Sequence, residues 1–283
     1  MTLYEVVKRL SAAGIDNPTG DARELLKHFG GYKPHEVMWP SVECSTPEFL
    51  SAVEARANHT PLQYLIGEVW FFHEKYKVTP DCLIPRADTE ILVEYAVANL
   101  PCGARFLDLC TGSGCIALST LCSTENTTAI AADISGPALK IAEENGRLNG
   151  VSDRLTLVRA DLLKEKIEGE FFAILSNPPY VCDSVYEGLA PEIAFEPKGA
   201  FVGGADGGDF YRALTPMYRD SLATGGFIAY EIGYDQAELI KKIACECEMS
   251  CEIIKDLSGN DRVAILKVMP HLVKPKKSEN VLN

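Results

Sequence analysis

Asn177, Pro178, Pro179 and Tyr180 follow one another in the chain and offer the clearest chemistry in the sequence. They come directly after the apolar run 171–176, so we expect them just past the C-terminal end of a β-strand, where open α/β sheets bind ligands. The two prolines lack N–H donors and cannot continue a central strand. With an amide before them and an aromatic ring behind, they form a slot suited to a planar group that bears an NH2. The alternative is an ordinary Asn-Pro turn.

A second group of candidate residues forms a glycine-containing turn upstream. The turn consists of Cys110, Thr111, Gly112, Ser113 and Gly114. It follows a short apolar strand that ends near Asp108, and an apolar helix follows it. Glycines let a ligand approach the backbone closely, and the N–H groups at the helix start would face that ligand. No phosphate-binding loop pattern is present, and Asp108 would repel phosphates, so the turn favours a cationic ligand. The alternative is a plain tight turn between strand and helix.

Two further predicted strands also end in an acid. The run 129–132 leads to Asp133, which stands 19 residues after Gly114, and the run 155–160 leads to Asp161 and Leu162. An acid at the first of these spacings can bind the two hydroxyls of a ribose. Each acid alone could instead cap the helix that follows it. Together with Asp108 and Asn177, these acids place polar residues at the ends of four successive strands, which is harder to explain by capping. Strands that alternate with helices predict an α/β fold with a parallel sheet.

The combined pattern D-x-x-T-G-S-G, a later acid and N-P-P-Y resembles the class I S-adenosylmethionine-dependent methyltransferases that modify planar nitrogens. Two subfamilies share the N-P-P-Y slot, namely DNA adenine-N6 and protein glutamine-N5 methyltransferases. Segment 61–90, PLQYLIGEVWFFHEKYKVTPDCLIPRADTE, closely resembles the HemK/PrmC-type protein-(glutamine-N5) methyltransferases. So do the Glu-Pro and Gly-Gly block at 192–207 and the segments 230–236 and 256–262. The sequence departs from the family pattern at His73, Ala87 and Cys110.

The resemblance implies a Rossmann-like class I methyltransferase sheet preceded by a small N-terminal helical domain and a β-hairpin linker. Helices are expected at 3–12, 21–29 and 47–58. The implied division is a helical partner-binding domain at 1–65, the hairpin linker at 66–90, the methyltransferase domain at 91–270 and a polar tail at 271–283.

The resemblance also implies the activity, which is methylation of the glutamine side-chain amide in the Gly-Gly-Gln motif of class I peptide-chain release factors. The implied cofactor is S-adenosylmethionine, and no metal is expected. Asn177, Pro178, Pro179 and Tyr180 would form the catalytic slot. The implied cofactor-binding residues are Asp108, Cys110, Thr111, Gly112, Ser113, Gly114, Asp133, Asp161, Leu162 and Asn177. For Arg86, Glu90, Glu192 and Glu231 a role in the site and a structural ion pair both stay open.

Composition limits the alternatives. The chain has 283 residues, a net charge of −13 and ten cysteines. It lacks the basic stripe by which proteins bind nucleic acid, which argues against direct nucleic-acid binding and against a DNA adenine-N6 methyltransferase. A non-catalytic scaffold of the same fold is the second alternative.

No membrane-length apolar run or signal peptide is visible, and the scattered cysteines suggest free thiols in a reducing compartment, so we expect a cytoplasmic protein.

Overall fold

The computed structural model describes residues 1–269, so the predicted polar tail at 271–283 lies outside the described residues. The α-helices are α1 Leu3–Ala12, α2 Pro18–Gly30, α3 Pro47–Ala57, α4 Leu62–Ile66, α5 Glu90–Asn99, α6 Cys115–Ser123, α7 Gly136–Leu148, α8 Asp183–Tyr186, α9 Asp209–Tyr218 and α10 Ala237–Glu246. The strands are β1 Glu68–Phe71, β2 Glu74–Lys77, β3 Arg105–Leu109, β4 Thr128–Asp133, β5 Leu155–Arg159, β6 Phe171–Ser176, β7 Leu222–Glu231, β8 Met249–Lys255 and β9 Asp261–Val268. Within 1–269, no helix is long and apolar enough to cross a membrane.

The N-terminal helices begin where the sequence supplies caps. Thr2 and Glu5 form a reciprocal capping box at the start of α1, and Thr46 caps α3 with Pro47 at the first helical position. Helix α1 has the predicted bounds, α2 begins three residues before the predicted start at 21 and ends one residue later, and α3 ends one residue before the predicted end at 58. Their apolar faces share a separate core that includes Leu10, Leu25 and Phe49. This core gives the N-terminal helices their own hydrophobic centre.

A β-hairpin connects the N-terminal helices to the rest of the chain. Strands β1 and β2 pair antiparallel, and β2 docks against helices α6 and α7. The buried side chain of Asn145 accepts from the Lys77 amide at 2.7 Å and donates to the Lys77 carbonyl at 3.0 Å. The same Asn145 amide group donates to the Ser113 carbonyl at 2.9 Å. One side chain therefore joins the hairpin directly to the glycine turn.

The central sheet has seven strands in the order β5-β4-β3-β6-β7-β9-β8. The first five are parallel, and β9 and β8 form an antiparallel edge. Helices α5 and α6 pack on one face, and α9 and α10 pack on the other. The predicted fold class is confirmed. The strand order reverses direction between β3 and β6, and this reversal places a crevice beyond their carboxyl ends.

Candidate active site

A cavity of about 340 Å³ opens at the crevice between β3 and β6, within the usual range for small-molecule sites. Of the residues singled out from the sequence, it is lined by Cys110, Gly112, Asp133, Asp161, Leu162, Asn177 and Pro179. The carboxyl ends of four parallel strands therefore contribute to one cavity.

The glycine turn presents its backbone to this cavity at Gly112. Gly112 has a φ of +56°, and no heavy atom beyond its two chain neighbours lies within 4 Å of the position that a Cβ atom would take there. Gly114, by contrast, has a φ of +85°, and a Cβ atom there would stand 3.1 Å from the Cβ atom of Ala142 on α7. Gly112 thus leaves room for a ligand, while Gly114 lets two helices approach. Cys110 adopts a φ of +59° without being glycine, and burial raises the pKa of its thiol.

Asp108 lies beneath the turn and is not among the residues that line the cavity. Its Oδ2 atom accepts from the Thr111 hydroxyl at 2.5 Å and from the Ala117 amide at 3.2 Å. Burial raises the pKa of this carboxyl to about 7. Its Oδ1 atom has no hydrogen-bond partner among the described residues. Asp108 therefore joins the turn to the first turn of helix α6. Thr111 and Ser113 are buried as well and do not line the cavity.

Asp133 reaches the cavity from the end of β4. Its Oδ2 atom accepts from the Gly112 amide at 2.8 Å, and its Oδ1 atom accepts from the Ser135 amide at 2.9 Å. Burial raises the pKa of this carboxyl, and the two amide donors oppose that shift. Each oxygen keeps a further lone pair, so the carboxylate can accept hydrogen bonds from two neighbouring hydroxyl groups.

Asp161 and Leu162 line the cavity from the end of β5. Its carboxylate accepts from the Lys164 ammonium at 2.6 Å and from the Leu163 amide at 3.3 Å. The Lys164 contact lowers the pKa of Asp161. Leu162 is buried and contributes apolar surface next to this acid. The pair offers one polar edge and one apolar face.

Asn177 stands between the large cavity and a smaller pocket of about 60 Å³. Both spaces are lined by Asn177, Leu83 and Ala200. The small pocket is completed by Arg86, Tyr180, Val181, Phe201 and Glu231. Asn177 Nδ2 donates to the Thr89 hydroxyl at 3.2 Å, and the Tyr180 hydroxyl donates to the buried Glu231 carboxylate at 3.1 Å. Burial raises the pKa of both Tyr180 and Glu231.

The four residues whose role the sequence left open lie in different places. Arg86 lines the small pocket and pairs with the buried carboxylate of Glu196. Glu90 lies outside both cavities and accepts from the Phe72 amide at 2.7 Å. Glu192 accepts from Arg56 of the N-terminal helices at 3.2 Å, so it joins two parts of the chain. Glu231 lies at the small pocket.

Several lining residues were missed by sequence reasoning. They are Asp81, Cys82, Leu83, Ile134, Ser135, Ala138, Ala160, Leu163, Pro197, Gly199, Ala200 and Phe210. The linker and the Glu-Pro and Gly-Gly block carried a signal through their resemblance to a family, but that signal assigned no role to individual residues. Phe210 and the missed residues between 134 and 163 lie outside both segments and carried no such signal. Within residues 1–269, no group of three or more His, Cys, Asp or Glu side chains is placed to hold a metal ion.

Comparisons with known proteins match both parts of the chain. The family model "PrmC N-terminal domain" matches residues 2–67, and "Methyltransferase small domain" matches residues 87–193. A release factor glutamine methyltransferase from Moorella thermoacetica is 37% identical over 92% of this chain and 95% of its own length. One from Thermodesulfovibrio yellowstonii is 41% identical over 77% of this chain and 80% of its own length. The crystal structure of a ribosomal protein L11 methylase from Lactobacillus delbrueckii shares the fold, with a TM-score of 0.50, 20% identity, and coverage of 68% of this chain and 83% of that one.

Proposed function

The chain belongs to the release factor glutamine methyltransferase family, and on that premise we propose that it methylates the side-chain amide nitrogen, N5, of a glutamine in a class I peptide-chain release factor. The methyl donor is S-adenosylmethionine. The target glutamine is the one in the Gly-Gly-Gln motif of the release factor. The relatives do not favour the two alternatives, a DNA adenine-N6 methyltransferase and a non-catalytic scaffold.

The observation that carries this proposal is the position of Asn177 between two spaces of unequal size. The large cavity has the volume for a cofactor, and the small pocket, at about 60 Å³, is much the smaller of the two spaces. A carboxamide suits the small pocket better than a purine base does. Asn177 then contacts both the donor and the acceptor of the methyl group.

The residues around the large cavity fit S-adenosylmethionine, which supplies an electrophilic methyl group on its sulfonium when bound. Asp133 would accept from the two ribose hydroxyls, since each of its oxygens keeps a lone pair. The open backbone at Gly112 would lie along the methionine part, with Cys110, Thr111, Ser113 and Gly114 shaping the turn. Asp161 and Leu162 would border the adenine through a polar edge and an apolar face. Asp108 would balance the ammonium group from beneath the turn, and its unpartnered Oδ1 atom suits that role.

The slot would act on the amide by positioning it. A primary amide nitrogen is a poor nucleophile because its lone pair is delocalised into the carbonyl group. Asn177 Oδ1 and the Pro178 carbonyl would each accept one N–H, which holds the nitrogen in line with the S–CH3 bond. As the N–CH3 bond forms and the S–CH3 bond breaks, positive charge develops on nitrogen, and these two acceptors stabilise it. Pro179 stiffens the loop and Tyr180 packs on the flat amide. The nitrogen then loses one proton, to water or to a nearby acceptor.

The acidic surface supports a protein partner more basic than this chain. The net charge is −13, and residues 1–90 contain 9 Lys and Arg against 13 Asp and Glu. We therefore place the release factor partly on the N-terminal domain, predicted at 1–65, and expect neither nucleic acid nor membrane as a partner. All ten cysteines lie within 1–269 and are free, which is compatible with the proposed cytoplasmic location.

A labelled methyl-transfer assay tests the proposal. The purified chain is incubated with methyl-labelled S-adenosylmethionine and a class I release factor, the same factor with its Gly-Gly-Gln glutamine replaced by alanine, or duplex DNA. We expect label in the unaltered release factor alone. Label in DNA but not in protein would overturn the choice of substrate, and label in none of the three would favour the scaffold.

A further inference from the structure

One buried carboxylate holds both polar side chains of the slot. Glu231 lies at the end of β7 and is 2% exposed. Its Oε2 atom accepts from the Thr89 hydroxyl at 2.5 Å, and its Oε1 atom accepts from the Tyr180 hydroxyl at 3.1 Å. Thr89, also 2% exposed, accepts in turn from Asn177 Nδ2 at 3.2 Å. The chain of contacts therefore runs from Asn177 through Thr89 to Glu231 and on to Tyr180.

The direction of these hydrogen bonds decides which end of the Asn177 amide faces the acceptor pocket. A hydroxyl group has a single proton. The Thr89 hydroxyl gives its proton to the Glu231 carboxylate, so its oxygen can only accept from Asn177. A reversed Asn177 amide would set its carbonyl oxygen against the Thr89 oxygen, with no proton between two acceptors. The NH2 end of Asn177 is thus directed to Thr89, and Oδ1 is left for a ligand.

We propose that Thr89, anchored by Glu231, is a positioning residue that locks the Asn177 amide with its carbonyl oxygen toward the substrate NH2. This inference rests on the proposed function. An unlocked Asn177 would present its own NH2 group to the substrate NH2 for part of the time, which places donor against donor. The buried carboxylate also polarises the hydrogen-bonded chain and so increases the negative charge on Asn177 Oδ1.

The surroundings of Glu231 favour this role over a plain ion pair. Two cations lie near Glu231, and both pair with other carboxylates. Arg262 pairs with Asp88 and with Asp256, each at 3.2 Å. Arg86 of the same small pocket pairs with Glu196. The Tyr211 hydroxyl donates to the backbone carbonyl of Glu231 at 2.9 Å and leaves the carboxylate to Thr89 and Tyr180. Both carboxylate oxygens therefore serve the slot.

The lock also connects the linker to the chemistry. Thr89 immediately precedes α5 at the end of the predicted linker, Asn177 follows β6, and Glu231 ends β7. The lock can form only when the segment around Thr89 is seated on the sheet. This dependence gives the linker a function beyond joining two parts of the chain.

The test compares Thr89→Val, which keeps the shape and removes the hydroxyl, with Thr89→Ser, which keeps the hydroxyl. Turnover on the release factor, the dissociation constant of S-adenosylmethionine and the thermal unfolding midpoint are measured for each. For Thr89→Val we expect kcat to fall by about 30- to 100-fold, with cofactor affinity within about threefold of wild type. This loss is at or below the low end of what removing a direct preorganised contact costs, because Thr89 acts through Asn177. For Thr89→Ser we expect a kcat within about threefold of wild type.

Two results would overturn the lock. One is a Thr89→Val protein with near-wild-type kcat, and the other is a Thr89→Ser protein as impaired as Thr89→Val. Thr89→Ala makes the same comparison if Thr89→Val does not fold. Tyr180→Phe leaves the Asn177 contact intact and should lose less activity than Thr89→Val or Thr89→Ala. Inactive wild-type protein would instead count against the proposed function, so the two failures are distinguishable.

Discussion

The backbone carbonyl oxygen of Pro179 lies only 2.4 Å from the position that a Cβ atom on Gly203 would occupy. A Cβ atom on Gly207 would likewise lie only 2.1 Å from the carbonyl oxygen of Tyr180. The segment around Gly203 also forms one isolated β-bridge with the residue after the slot, between Val202 and Val181, and the Gly203 amide donates to the Val181 carbonyl at 2.9 Å. The Gly-Gly block therefore supports the slot from behind, because only glycine lets the two backbones approach so closely.

Gly203→Ala should displace the slot. The added methyl group must move the Pro179 backbone, and we expect a loss of about 1–3 kcal/mol in the free energy of unfolding, as for overpacking. Turnover should fall at least as much as the fraction of folded protein does, because a displaced Asn177 no longer aligns the acceptor. Gly188→Ala is the matched control in the same loop region, because its nearest atom is the Val185 carbonyl oxygen at 3.6 Å. Equal effects of the two substitutions on turnover would contradict this role of Gly203.

Asn177→Ala should remove most of the turnover and leave cofactor binding partly intact. The side chain is proposed to contact the substrate amide directly, and loss of one preorganised polar contact typically costs about 10²- to 10³-fold in kcat. The measurements are steady-state methyl transfer to the release factor and calorimetric binding of S-adenosylmethionine. A variant with normal turnover would exclude the slot as the acceptor site.

Tyr180 should tolerate changes according to how well they preserve its ring. Tyr180→Ala removes the packing surface, whereas Tyr180→Asp also places a second carboxylate near the buried Glu231 carboxylate. We expect Tyr180→Asp to be the more damaging for turnover and for stability, because a buried like-charge pair is costly. Methyl-transfer rates and unfolding midpoints of both variants decide the order, and the reverse order would mean that the ring does more than pack.

Asp133→Asn should weaken cofactor binding. The amide keeps one acceptor oxygen for the Gly112 and Ser135 N–H groups and turns a donor toward the other position. Loss of a charged acceptor for a ribose hydroxyl corresponds to about a 10- to 100-fold rise in the Kd of S-adenosylmethionine. Asp153→Asn, at an exposed position away from the cavity, is the matched control and should leave the Kd unchanged. If both variants bind the cofactor like wild type, the assignment of the ribose to Asp133 fails.

Asp108→Asn should change how stability depends on pH. Burial raises the pKa of Asp108 from 3.8 to about 7, so between these values the folded protein binds more protons than the unfolded chain. The wild-type free energy of unfolding therefore contains a contribution that is present at low pH and lost as pH rises to about 7. An amide does not titrate, so the free energy of unfolding of the variant should rise relative to that of wild type by on the order of 1 kcal/mol or more between about pH 4 and 7.

Urea unfolding of both proteins at several pH values measures this difference, with Asp153→Asn as the exposed control. A difference between Asp108→Asn and wild type that stays constant with pH would mean that Asp108 keeps an ordinary pKa in the folded state. The same variant should bind S-adenosylmethionine less tightly, because Asp108 is proposed to balance the ammonium group.

The sequence by itself determined which segments form helices and strands and which residues follow each strand. Strand β6 occupies the predicted residues 171–176, and α1 occupies the predicted residues 3–12. These features depend on neighbouring residues, namely on apolar runs, caps and prolines, so they can be read from a short stretch of chain. The position of Asn177 just past a strand, and hence at the ligand-binding edge of the sheet, follows from the same local pattern.

Only the tertiary structure decided which side chains enter the cavity. Asp108 and Asp133 follow the same strand-end pattern, yet Asp108 shares the face of β3 with Phe106 and is buried against α6, while Asp133 reaches the cavity. The contacts of the slot with Thr89, Gly203 and Glu231 join residues that are far apart in the chain. Such contacts depend on how whole strands and loops pack against one another, and the spacing of residues along a single segment does not specify that packing.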